Sequence, residues 1–338
     1  MSKAILTRLD GSENLIANIG YENVEVVNNG FDNCYPWNSM TIVEENGEKW
    51  VRIPTFYTWY EVVDGAIVGR KISQYKIDDD WFLNPLFVKG DRILPYVDIS
   101  AYLMSYVGGQ AWSRTGDAPI KNVVPSVARG YAEARSDDTF DVFLFDVWAL
   151  QMVQDLFAIE FATTKCQSIM KGYLYKNYSN KSAENGTTDN VSYVTGSPTQ
   201  AGAEEGTRCM KYRGIENLWG NGSLFIDGLR AEGSNVYVSF DPASHGDDAN
   251  YVKADISKLA TAGTVYKMGH DTTTHVVLPI EVNAKGAYDN NYSVLTNGMA
   301  GCYCGANNDN IGLWTYNMAS GYNANIPQGI FRMARRLK

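Results

Sequence analysis

Tyr212-Arg213-Gly214-Ile215-Glu216-Asn217-Leu218-Trp219-Gly220-Asn221 runs on through Gly222-Ser223-Leu224-Phe225-Ile226-Asp227-Gly228. In this chain of 338 residues the stretch forms a compact turn-strand element. Glycines at 214, 220, 222 and 228 bracket two short apolar pieces, so the chain must turn sharply several times where a Cβ would be in the way. Between the turns Trp219 is suited to burial. Leu224 and Ile226, two residues apart, share one face of a strand entering a core.

Strand signals continue on both sides of this element. Downstream, residues 235–240 alternate cleanly and residues 276–280 form an apolar run that returns to the core. Upstream, residues 40–45 and 50–54 flank Asn46-Gly47, a strong hairpin signal, and residues 56–63 turn at Asp64-Gly65 into 66–68. Two helices are predicted. Residues 125–135 carry Ala and apolar residues at helical spacing, interrupted by Gly130. Residues 141–170 place Val147, Leu150, Val153, Phe157 and their neighbours on more than one face, which predicts a mostly buried helix.

Residues 171–207 are polar and aperiodic, and 241–274 are loop-rich; both read as surface insertions. Residues 1–40 stand apart, with short apolar pieces split by Asp10-Gly11-Ser12. They suit an assembly arm that pairs with a neighbouring chain, an edge strand of the main domain being the alternative. The organisation expected is therefore an arm over 1–40 and one α+β domain over 41–338.

The opening stretch resembles the GxxxLWGN segment of the C-type-lectin-like superfamily. That superfamily includes the formylglycine-generating enzymes and the receptor-binding variable proteins of phages and diversity-generating retroelements. Gly329-Ile330-Phe331-Arg332-Met333-Ala334-Arg335-Arg336 resembles the strand that closes such domains, and Val51-Arg52-Ile53-Pro54-Thr55-Phe56-Tyr57 is similar to a strand of the phage-encoded members. The resemblance implies a C-type-lectin-like fold: twisted antiparallel sheets, two helices and long loop insertions. It further implies a phage tail-fibre or tail-tip protein that binds a host cell-surface protein or glycan. Such a protein would contact other virion tail proteins and form a homo-oligomer, a trimer first. A structural virion part, a head fibre or decoration, is the first alternative, and a formylglycine-generating-like oxidase the second.

Composition agrees with a binding role. The chain carries 22 Tyr and 8 Trp, amphipathic side chains that give contact area at low entropic cost. A formal net charge of −9 and the lack of a basic face argue against nucleic acid. No run of 18 apolar residues is present, so no membrane insertion is expected, and Met1 to Leu6 lack the apolar core of a signal peptide. The expected location is the virion, after synthesis in the host cytoplasm. The five cysteines are expected to be reduced thiols.

Nothing points to catalysis, a cofactor or a metal. No nucleophile elbow, P-loop, dinucleotide fingerprint or zincin motif occurs. Cys302 and Cys304 are spaced more tightly than the cysteine pair of the formylglycine-generating oxidases, and Ser223-Leu224-Phe225 replaces that branch's WEW, so the oxidase chemistry is not carried over. His270 and His275 flank Asp271 and read as exposed loop histidines. The resemblance puts ligand contacts on turns before the closing strand. Here those turns hold Tyr303, Asn307, Asn308, Asp309, Asn310, Trp314, Tyr316, Asn317, Ser320, Tyr322, Asn323 and Asn325. Rigid aromatics interleaved with short amides make a good contact surface.

Overall fold

The computed structural model describes residues 5–9, 15–18, 30–161, 164–170, 172, 183–190, 209–233, 235–256, 262–282, 291–294, 299–304, 312–321, 323–327 and 329–338. The architecture is mixed α+β, with mostly antiparallel sheets packed around two helices, α1 (Pro125–Glu133) and α2 (Val147–Phe161). A five-stranded antiparallel sheet runs in the order Phe140–Leu144, Met333–Leu337, Tyr96–Ser100, Glu48–Pro54, Thr41–Glu45. The last strand of the sequence thus lies inside the sheet, with Val97 opposite Arg336 on one side and Leu144 opposite Met333 on the other.

Alternate side chains of this sheet feed two cores. Trp50, Val142 and Met333 pack with Ala128 and Ala132 of α1, while Val51, Ile53, Val97 and Phe143 join the larger core around α2. The two hairpin turns form as their residues require. Asn46 and Gly47 take φ of 54° and 78°, and Asp64 and Gly65 take 51° and 79°, the left-handed pair of a type I′ turn.

The larger sheet is built on the ten-residue strand Ser223–Glu232, which pairs with Asn235–Val238, Met299–Cys304 and, in parallel, Gly329–Ile330. The predicted motif and the closing segment meet at Arg332. This side chain is fully buried; its Nη1 donates to the carbonyls of Ser100 and Tyr102 and its Nη2 to that of Glu216. Burial pulls its pKa down to about 9. The Glu216 carboxylate, pushed up by burial, accepts from the Thr188 N–H at 2.7 Å and the Gly186 N–H at 3.0 Å. Part of the 171–207 insertion is thereby tied down onto the motif.

Three expectations change. Residues 141–144 are strand, not helix, and α2 begins only at Val147. Phe140, Val142 and Leu144 point into one core while Phe143 points into the other, so the apolar run is a strand buried on both faces. Asp146 then starts the helix by accepting the Ala149 N–H at 2.8 Å. The helix is buried all round, fourteen of its fifteen residues included.

Within the 241–274 segment, Ala262–His270 is a nine-residue strand of the larger sheet. Residues 30–40 belong to the core rather than to an arm. Phe31 meets Trp37 edge-on at 4.7 Å, Trp37 donates to the Tyr212 hydroxyl at 3.3 Å, and Arg213 bridges Asp32 and Glu160. The hairpin of Ile5–Leu9 and Leu15–Asn18 adds to the edge of Ala66–Ser73 within its own chain, Ile5 opposite Ile72.

Candidate binding surface

The expected contact residues divide into a buried base and an exposed rim. Trp314 and Tyr316 are buried in the core and cannot act as exposed anchors. Trp314 packs edge-on to Phe157 at 6.1 Å, and Gln154 of α2 donates to the Leu313 carbonyl at 2.7 Å and the Tyr316 hydroxyl at 2.8 Å. The large apolar area that suits these rings to a ligand is spent instead against α2, where they hold the base of the loop. Tyr303 and Asn317 are register partners on neighbouring strands. Ser320 lies on the same strand as Asn317, and Cys302 and Cys304 lie on the strand Met299–Cys304. Asn307, Asn308, Asp309, Asn310 and Tyr322 lie outside the described residues.

Asn323 and Asn325 form the rim. Both are exposed, and both reach the start of α1. The N-cap position, Val124, has no side chain able to cap; Asn323 Oδ1 accepts the Ser126 N–H at 2.9 Å in its place. Asn325 Nδ2 donates to the Asn122 carbonyl at 3.4 Å. The C-terminal turn is therefore fastened to a helix almost two hundred residues earlier in the chain.

From that contact α1 leads to a partly exposed aromatic face that the sequence reading missed. Ser105–Val107 and Gln110–Trp112 form a hairpin turned by Gly108 and Gly109, at φ 63° and 83°. Tyr106 stacks on Tyr131 of α1 at 4.0 Å and 23°. Tyr131 sits about 8 Å along the helix axis from Ser126. Trp112 is flanked by the guanidinium groups of Arg114 and Arg135, each 4.2 Å from its ring. Arg114 and Arg135 are held in turn by Asp117 at 3.1 Å and Glu48 at 2.6 Å, and Val107 and Val127 complete the exposed apolar area. The signal was present as aromatics around a Gly-Gly turn. Their stacking on a helix twenty-five residues away was not.

Behind this face α1 is clamped to the first motif. Arg129 donates twice to Asp227, at 2.6 and 2.8 Å, with both side chains buried. Burial pushes the Asp227 carboxyl up, but the Arg129 charge and hydrogen bonds outweigh it and hold the group below the ordinary carboxylate range.

The histidine pair is not exposed, which corrects the sequence reading. His275 Nδ1 lies 3.2 Å from His270 Nε2, Phe82 lies parallel to the His275 ring at 4.6 Å, and Tyr60 meets His270 at 4.8 Å. Burial lowers both pKa values, His270 to about 4. Among the described residues no group of three or more His, Cys, Asp or Glu is placed to hold a metal ion, and no helix is long and apolar enough to cross a membrane. In comparisons with known proteins, no family model and no curated protein matches the chain.

Proposed function

We propose that this protein is a phage virion component, a tail fibre or tail tip, whose C-type-lectin-like domain binds a receptor on the host cell surface. The observation that carries the reading is the face made by exposed Tyr106 and half-buried Trp112 and Tyr131, on the helix whose start is held by exposed Asn323. Its aromatics are stacked or flanked by guanidinium groups, and the helix beneath is clamped from behind, so little entropy remains to be lost on contact. The fold reading is supported by the way its motif segments engage one another: Arg332 joins the closing segment to Glu216, and Val51 to Ile53 pair with the strand beside the closing one. Weak single contacts suffice in a homo-oligomer, a trimer in this reading, because linked sites multiply apparent affinity. No cofactor is needed.

The test is adsorption of the purified protein to intact host-range bacteria, next to a Tyr106→Ala/Tyr131→Ala variant with an unchanged melting temperature. Adsorption lost in the variant is the expected result. Equal adsorption by both refutes this face as the site. No adsorption by either favours a structural virion role.

A further inference from the structure

A second site lies away from the α1 face. A cleft of about 540 Å³ opens beside residues 83–90, within the roughly 300–1,000 Å³ of small-molecule sites. Leu83, Pro85 and Val88 give it an apolar wall, and Phe240 gives it a flat one. One face of the Phe240 ring stacks on Trp148 at 5.4 Å and 14°, yet the ring remains 36 % exposed. Trp148 is itself fully buried and donates from Nε1 to the Ser239 carbonyl at 2.8 Å. The ring is therefore a fixed platform, and covering its outer face would remove apolar surface from water without ordering a side chain.

The polar groups around the platform are balanced in charge. Lys89 pairs with Asp141, and Arg336 donates from Nη2 to Asp241 Oδ1 at 2.5 Å and from Nη1 to the Val88 carbonyl at 3.2 Å. Two cations face two carboxylates, so no net field draws an anion or a cation in. Hydrogen-bonding capacity nevertheless remains. Asp241 Oδ1 takes both Arg336 and the Ala243 N–H, which leaves Oδ2 of this 57 % exposed side chain as an acceptor. Lys89 Nζ has further N–H donors beyond the one given to Asp141.

We infer that this cleft binds a neutral pyranose sugar: the apolar C–H face of the ring lies on Phe240, and adjacent hydroxyls donate to Asp241 Oδ2 and accept from Lys89. Such a ligand is flat and apolar on one side, rich in paired donors and acceptors at its edge, and uncharged, which is what the cleft offers. An anionic sugar gains nothing from cations that are already paired with carboxylates. The inference does not depend on what the α1 face binds.

The experiment is saturation-transfer NMR on the full chain, with methyl α-glucoside, methyl α-mannoside and methyl β-galactoside as neutral probes and methyl glucuronide as the anionic one. Two variants accompany it. Phe240→Leu keeps apolar cover on Trp148 but removes the flat face. Asp241→Asn keeps an acceptor for Arg336 but turns the open oxygen into a donor. The expected result is transfer to the ring protons of at least one neutral glycoside, weaker transfer to the glucuronide, and at least a tenfold loss in each variant at an unchanged melting temperature. Absence of transfer to all three neutral probes overturns the inference. So does stronger transfer to the glucuronide, or equal transfer by the Phe240→Leu protein.

Discussion

Replacing Arg129 by Met should destabilise the protein in a way that a second substitution, Asp227→Asn, partly repairs. In the native chain the Asp227 side chain is 1 % exposed and accepts both Arg129 bonds, with the Gly228 N–H at 2.9 Å as a further donor. Methionine fills the space of the Arg stem but takes both guanidinium bonds from a buried carboxylate. Stranding one member of a buried pair costs about 3–5 kcal/mol, whereas removing the charge from both partners is often close to neutral. The double variant is therefore expected to lie about 2 kcal/mol or more above the single Arg129→Met protein. Independent sites would add to within about 0.5 kcal/mol. The sign of the pH dependence should reverse as well. With Arg129 present the folded carboxyl titrates below its unfolded value, so its stabilisation is full above that value and is lost as the pH falls through the folded one. In Arg129→Met burial is no longer outweighed by the guanidinium, the carboxyl titrates above its unfolded value, and acidification through that window stabilises the fold relative to neutral pH. Urea unfolding of the four proteins from pH 3 to 7 measures both effects. A double variant no more stable than Arg129→Met, or parallel acid losses in the native and Arg129→Met proteins, would refute the clamp.

Two smaller tests address the histidine pair and the helix start. Burial raises Asp155 from 3.8 to about 6 despite its bonds to Arg70 and Tyr60, while burial lowers His270 from 6.5 to about 4. Between those values the folded chain holds an extra proton at Asp155 and lacks one at His270. The two contributions to stability therefore slope in opposite directions by up to about 1.4 kcal/mol per pH unit and nearly cancel. Asp155→Asn should steepen the loss of stability on acidification from pH 6.5 to 4 relative to the native protein, read as urea midpoints; the same pH profile in both proteins would contradict this. Asn323→Ala removes the remote cap of α1 and should cost about 1 kcal/mol, while Asn323→Asp, which keeps the acceptor, should cost much less. Equal melting temperatures for the two variants would show that the cap carries no stability.

The sequence was most legible where chemistry is local. Asn46-Gly47 and Asp64-Gly65 need no tertiary partner to demand positive φ, and both turns form at those residues. Legibility failed where an apolar run was buried on two sides. In residues 140–144 every side chain but Asp141 is buried, between two cores, so the period of two is erased and the run merges with the helix behind it. What separates them is Asp146, whose capping role depends on a turn that composition does not reveal.

The burial of Trp314 and Tyr316 was not legible for a related reason. An aromatic residue in a Gly- and Asn-rich segment has two uses, contact with a partner or contact with its own core, and composition weighs them equally. Gln154 decides between them for Trp314 and Tyr316: a buried amide on α2 needs partners, and the Leu313 carbonyl and Tyr316 hydroxyl supply them only if the segment folds inward. Once those rings are drawn in, the amides at 323 and 325 are carried to the first turn of α1, where an uncapped helix needs an acceptor. The same requirement, that buried or terminal polar groups be satisfied, thus holds Trp314 and Tyr316 inside, while the aromatic face of Tyr106, Trp112 and Tyr131 forms from residues far away in sequence.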